Sequence, residues 1–115
     1  MAKTPAIQDY HAHVYFDADS RAPAKALREQ IETHFDIEMG RWHEKEVGPH
    51  PRWSYQVKFG TDLFAKFVPW LMQNRCGLTI FLHPNTGNNL EDHRDWPIWM
   101  GEIPELKLAM FEDKQ

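Results

Sequence analysis

The chain has a single cysteine, Cys76, so no internal disulfide can form. A reducing compartment is therefore expected, the cytoplasm being the simplest. Cys76 sits among apolar residues, and its thiol is expected to be packed rather than reactive. No stretch approaches the roughly 20 apolar residues of a membrane-spanning helix. The first residues, Met1-Ala-Lys-Thr-Pro, carry no apolar run behind their one lysine, which excludes a secretory signal there. Positive charge is also in short supply. Thirteen Lys and Arg against 17 Asp and Glu give a net charge of −4, which excludes a general nucleic-acid binder needing a basic face. Glycine is scarce, and Gly87 in the Pro84–Asn89 turn has no second glycine at the spacing of a phosphate cradle. No repeat or linker interrupts the chain, so residues 1–115 are read as one domain. A chain of this length buries roughly two-thirds of its unfolded surface and can hold a core without a staple.

Histidine and tryptophan are abundant instead, with seven of the first and five of the second. Imidazole is the commonest metal ligand and titrates closest to neutrality, so a metal or acid–base site becomes the leading expectation.

Local patterns place the elements. From about Ile7 to Phe16 the chain alternates: Ala12, Val14 and Phe16 fall on one face, His11, His13 and Tyr15 on the other. Period two predicts a strand. A helix is predicted from about Ser20 to Phe35, capped by Asp19 or Ser20, with Ala24, Leu27, Ile31 and Phe35 as its apolar stripe. His34 borders that stripe. Ile37 to Val47 is a weaker strand candidate, followed by a Gly48-Pro49-His50-Pro51 turn. Trp53 to Phe59 alternates again, with Trp53, Tyr55, Val57 and Phe59 together. Thr61 can cap a second helix, whose stripe is Phe64, Phe67, Val68 and Leu71. Pro69 predicts a kink there or two short helices. Leu78 to His83 reads as a strand with Leu78, Ile80 and Leu82 opposite Thr79, Phe81 and His83. Turn residues Pro84–Asn89 follow. The tail is expected to hold a short helix and a last strand near Leu106 to Phe111.

The order β-α-β-β-α-β predicts an α+β fold of the ferredoxin-like kind. This is a two-layer sandwich with a four-stranded antiparallel sheet, two helices on one face and a C-terminal extension. In that plan the first and third strands are taken as central and parallel, the fourth beside the first and the second beside the third. His11, His13, His83 and His50 would then fall at one end of the sheet, and the three strand histidines would project from the face the helices leave uncovered.

Imidazoles so placed suit iron, zinc, copper or nickel, with His11, His13 and His83 as the metal-ligand candidates. Glu44 or Glu46 could complete a facial triad. His50 is a turn residue, a ligand or a base, and is carried as the catalytic candidate. His43 and His93 show no such convergence, and a solvated polar loop is expected for His93. Tyr15, Arg41 and Trp53 are the substrate-binding candidates, as aromatic walls and as a guanidinium for a substrate carboxylate.

Four blocks also resemble a known family: Tyr10-His-Ala-His-Val-Tyr-Phe, Gly40-Arg-Trp-His-Glu-Lys-Glu-Val-Gly-Pro-His-Pro, Leu82-His-Pro-Asn-Thr-Gly and Asp92-His-Arg-Asp-Trp. They are similar to the DOPA 4,5-dioxygenase family of fungi and bacteria, from about Gln8 to Met110. The resemblance implies a non-haem iron(II) enzyme that uses O2 to open the catechol ring of L-DOPA or a related small aromatic substrate. His11, His13, His50 and His83 lie within the family's histidine blocks; which of them bind metal and which moves protons stays open. Zn(II) is the other metal expected. Two rival readings remain: a zinc-dependent hydrolase or lyase on the same histidines, and a non-catalytic metal or small-ligand module forming a homodimer through its open sheet face.

Overall fold

The computed structural model describes residues 4–112. Met1–Lys3, part of the stretch read for a secretory signal, and residues 113–115 lie outside the described residues.

The predicted first strand, β1 (Asp9–Phe16), is the centre of the sheet. Ala12, Val14 and Phe16 are buried on one face of it. Helix α1 (Arg21–His34) follows, then a two-residue strand β2 (Glu38–Met39), β3 (Trp53–Gly60) and α2 (Phe64–Asn74). The chain continues through β4 (Thr79–Asn85), α3 (Asn89–Arg94), β5 (Ile98–Met100) and α4 (Ala109–Glu112). The sheet has five strands in the order β2-β3-β1-β4-β5, all neighbours antiparallel, so the expected four-stranded sheet gains an edge strand.

Both long helices cover the same face. Ala24, Leu27 and Ile31 of α1 join Phe67, Val68 and Leu71 of α2 over Val14, Val57, Ile80 and Leu82 in one apolar cluster. Each fully buried side chain of this size contributes about 1.5–3 kcal/mol. The α1 cap differs from expectation. Ser20 makes no side-chain cap bond; its hydroxyl accepts from the Asp17 N–H at 2.9 Å, while the Asp17 carboxylate accepts from the Ser20 N–H at 2.9 Å. The tight Asp17–Ser20 turn thus satisfies itself. Thr61 opens a 3₁₀ turn over Thr61–Leu63 and caps nothing, and α2 continues through Pro69 as one element. Burial of Phe67, Val68 and Leu71 offsets the roughly 3 kcal/mol penalty of an interior proline.

Other departures have local causes. The strand expected over 37–47 shrinks to β2 and an isolated His43–Ser54 bridge. Gly40 lies so close to β3 that a Cβ there would sit 3.1 Å from the Gln56 carbonyl oxygen. Trp42 then leaves the edge to stack on the Tyr55 ring at 5.6 Å. The last strand is Ile98–Met100, pairing with β4, and Leu106–Phe111 ends in α4 instead. Cys76 is exposed, not packed: it sits at φ 54° in the turn between α2 and β4, outside the apolar cluster. Among the described residues no helix is long and apolar enough to cross a membrane.

Candidate metal centre

Antiparallel register brings the histidines together. His11 lies directly opposite His83, and His13 opposite Phe81, across the β1–β4 ladder. Directly opposed residues share a face, so His11, His13, Tyr15, Phe81 and His83 all project away from α1 and α2. One nitrogen from each of His11, His13 and His83 falls within 4.8 Å of the others. The Nε2 atoms of His13 and His83 are 3.1 Å apart. Two imidazole nitrogens on one ion, with bonds of about 2.0–2.1 Å at cis-octahedral or tetrahedral angles, lie roughly 3.0–3.4 Å apart. The His13–His83 pair already stands at that spacing, and His11 is the third imidazole within reach of the same ion.

Hydrogen bonds fix which nitrogen is available. The His83 Nδ1–H donates to the Pro84 carbonyl at 2.9 Å, leaving Nε2 with its lone pair toward His13. Burial lowers the pKa of every imidazole in the group: His83 to about 3, His50 to about 4, and His13 well below its usual value. His11 is lowered too, by burial, against the raising effect of Asp9. The group is neutral at pH 7, as metal ligation requires.

The sign of that shift makes a prediction for the metal-free protein. An unfolded histidine binds a proton below its ordinary value of 6.5, where these folded ones do not. Stability is full above about pH 6.5. It falls as the pH drops from there through about 4, the folded value of His50, and on toward 3, that of His83. Urea midpoints of the metal-free protein measured at pH 7.5 and pH 5 should show the loss; equal midpoints would contradict it.

His50 arrives by a route the expected topology did not contain. The third strand runs antiparallel to the first, not parallel, so Trp53 opposes Phe16 at the far end of β1. His50 therefore enters beside Tyr15, whose hydroxyl lies 2.8 Å from its Nδ1. It still reaches the cluster, because its loop folds over the sheet: its ring centroid is 4.1 Å from that of His13. The Lys107 N–H to Pro49 carbonyl bond, 2.9 Å, ties the C-terminal segment to that loop. The sheet face expected to be open is thus partly roofed.

His93 is the functional candidate that sequence reasoning missed. It was expected in a solvated loop, but α3 folds back and sets its ring 4.2 Å from His83 and 4.7 Å from Phe111. Burial lowers its pKa as well. Its neighbour Asp92 is 1% exposed and accepts from the Thr86 N–H at 2.9 Å and from the Thr86 hydroxyl, which pins α3 to the end of β4. No sequence pattern marked it, because the run Glu91–Asp95 is uniformly polar and only the Asp92–Thr86 contact turns His93 toward the sheet. Asn88 caps α3 by accepting from the Glu91 N–H at 3.1 Å. Asn88→Ala should cost about 1 kcal/mol of stability and speed amide exchange across 89–94 before the rest of the sheet.

Two substrate-binding candidates are not brought to this face. Trp53 falls with Phe16 on the helix side, its ring 5.9 Å from Phe16 and 5.6 Å from the Arg21 guanidinium. Arg41 is exposed and makes no contact with the cluster among the described residues. Glu44 is held by Arg21 and the Trp42 indole N–H, both at 2.8 Å, and Glu46 by Lys107, so neither carboxylate completes a triad with the histidines. An apolar groove between Ile7, Tyr10, Phe64, Pro84, Trp96 and Ile98 lies on the helix side and is no part of the centre. The aromatic wall on the histidine face is Phe81 stacked on Trp99 at 4.5 Å, beside Tyr15.

An antiparallel sheet with helices on one face and five imidazoles gathered on the other defines an α+β protein built around a candidate metal centre. Residues 10–110 match the Dopa 4,5-dioxygenase family, and the chain belongs to that family. It is 30% identical over 112 residues to a DOPA 4,5-dioxygenase of Amanita muscaria, covering 90% of this chain and 49% of that protein. It is 34% identical over 113 residues to an uncharacterised 21.2 kDa protein of Botryotinia fuckeliana, covering 88% and 62%. The chain thus spans 49% to 62% of the length of these curated relatives. A crystal structure of a candidate dioxygenase from Nostoc punctiforme superposes with a TM-score of 0.92 at 44% identity, covering 95% of each chain.

Proposed function

We propose that this protein is an extradiol ring-cleaving dioxygenase that opens a catechol such as L-DOPA at the 4,5 position with O2. The carrying observation is the convergence of His11, His13 and His83 within 4.8 Å on one face of the sheet. Family membership and the Nostoc likeness support the same reaction class. The three imidazoles would hold iron(II), which supplies Lewis acidity toward the catechol hydroxyls and redox capacity toward O2. The protein's own contribution is placement and exclusion of water. Phe81 and Trp99 offer a flat apolar wall to an aromatic ring. His50, 6% exposed and beside Tyr15, is the group placed to exchange a proton with a ring hydroxyl. The order β2-β3-β1-β4 supports the ferredoxin-like plan across the described residues, with β5 added at its edge. An exposed Cys76 thiol fits a reducing cytoplasm.

A second reading has one observation in its favour. Three histidines without a carboxylate form a zinc-type set, as in zinc hydrolases and lyases.

Iron(II) loading under argon, followed by L-DOPA and air, separates them. Oxygen uptake that requires both iron and catechol, matched by a yellow ring-opened product, is expected. Tight metal binding with no uptake on L-DOPA or simpler catechols would overturn the dioxygenase reading in favour of zinc chemistry.

A further inference from the structure

Most of the histidine cluster is closed to solvent. His13, His50 and His83 are 4%, 6% and 1% exposed, and only His11 of the three ligand candidates is partly open. Two pieces lie directly over the sheet face. One is the loop carrying His50, whose ring rests on His13; the other is α3, whose His93 ring rests on His83. A single further segment fastens both. The Lys107 N–H donates to the Pro49 carbonyl at 2.9 Å, and the Lys107 ammonium pairs with Glu46, both on the His50 loop. Four residues on, the Phe111 ring packs against His93 at 4.7 Å.

This segment is held at its ends and loose between them. Gly101, at φ 86°, turns the chain out of β5 in a conformation natural to glycine. Glu102 is then fixed to the sheet: its carboxylate accepts from Arg52 at 2.7 Å, and its N–H donates to the Thr79 hydroxyl at 3.3 Å. From Ile103 to Leu106 the backbone makes no hydrogen bond to any described residue, and Ile103 is 74% exposed. A cavity of about 300 Å³ between Phe111 and Gly87–Leu90 leaves that ring loosely packed on one side. Segments with few buried apolar contacts and few backbone bonds open locally at low cost, well before the strands beneath them.

We infer that residues 103–112 form a clasp, hinged after Glu102 and shut by Lys107 and Phe111, whose release gates access to His13, His50 and His83. Shut, it binds the His50 loop and α3 together over the sheet. Open, it frees both pieces to part. What passes the clasp rests on the function proposed above; that the clasp opens rests on burial and hydrogen bonding alone.

A disulfide should lock it. One backbone hydrogen bond joins residues 49 and 107, which brings Pro49→Cys and Lys107→Cys within bridging reach in a Cys76→Ser background. Reaction of the metal-free full chain with diethylpyrocarbonate at pH 7.5, read residue by residue by mass spectrometry, reports access to each imidazole. Labelling of His13, His50 and His83 should be at least about tenfold slower in the oxidised protein than in the same sample after reduction. Exposed His34 should react equally in both. Phe111→Ala, which removes one fastening, should speed labelling of the three about tenfold. Cobalt(II) is the second probe: its uptake and its release to a chelator should slow together in the oxidised form, leaving Kd unchanged. Equal labelling of the oxidised and reduced forms would overturn the inference. So would a Kd that worsens in step with release, the mark of a segment that builds the site instead of gating it. Should the disulfide not form, Phe111→Ala decides by the same labelling, and no acceleration would overturn the clasp. Neither probe uses oxygen. A protein whose labelling follows the lock yet which consumes no oxygen would support the clasp while sinking the dioxygenase reading.

Discussion

His83→Ala is expected to strip the protein of bound metal and of oxygen uptake together, with metal affinity falling by at least about 100-fold. Removing a group that merely orients a ligand already costs about 10–100-fold, and His83 is a ligand candidate. It faces His11 across the ladder, holds its Nε2 3.1 Å from that of His13, and has its tautomer set by the Pro84 carbonyl. The side chain is 1% exposed, and alanine leaves a gap lined by His11, His13, Phe81 and His93 rings rather than by α1 or α2. The helix-side core should therefore survive, and far-ultraviolet circular dichroism should match the parent. His34→Ala is the control. Its ring packs near Trp70 on the other side of the molecule, and metal content should not change. Metal analysis after gel filtration reads both variants. A His83→Ala protein that keeps stoichiometric metal would remove His83 from the centre.

The second large effect is expected at Phe81. It is fully buried on the histidine face, where its ring lies 4.5 Å from Trp99, 5.2 Å from His83, 5.5 Å from His13 and 5.7 Å from His93. Truncation of a buried phenylalanine to alanine costs about 3–5 kcal/mol, against a total stability of roughly 5–15 kcal/mol. For a chain of this size that corresponds to a fall in Tm of roughly 10–25 °C. The distinguishing consequence lies in the site. Phe81 is the ring against which His13 and His83 rest, so Phe81→Ala should also weaken metal binding, and Phe81→Leu should restore stability more than it restores affinity. Leu71→Ala, in the helix-side core, is the comparison: destabilised by about 2–5 kcal/mol, it should bind metal with parent affinity at a temperature where it is folded. Equal affinity losses in the two variants would mean that Phe81 supports the fold alone.

Some of this was legible before any coordinates. Strict alternation in 7–16 and 78–83 assigned His11, His13, Tyr15 and His83 to polar faces, because a strand's side chains alternate whatever their partners are. The same rule had grouped Trp53 with Tyr55, Val57 and Phe59, and that grouping already argued against a place for Trp53 beside the histidines. Helical spacing likewise marked Leu27, Ile31, Phe67 and Leu71 as core, and all four are buried.

What the amino-acid sequence determined by itself was therefore which residues share a face, since that depends only on backbone period. Tertiary structure decided which faces meet and what covers them. The direction of β3 against β1 is a pairing choice between residues some 40 positions apart, and it moved His50 from the start of β1 to the side of Tyr15. His93 joins the cluster only because Asp92 anchors α3 to Thr86, and the C-terminal segment closes over the same face through Lys107 and Pro49. Neither contact leaves a periodic trace, because each is a single long-range or loop-mediated bond in a segment with no repeating pattern.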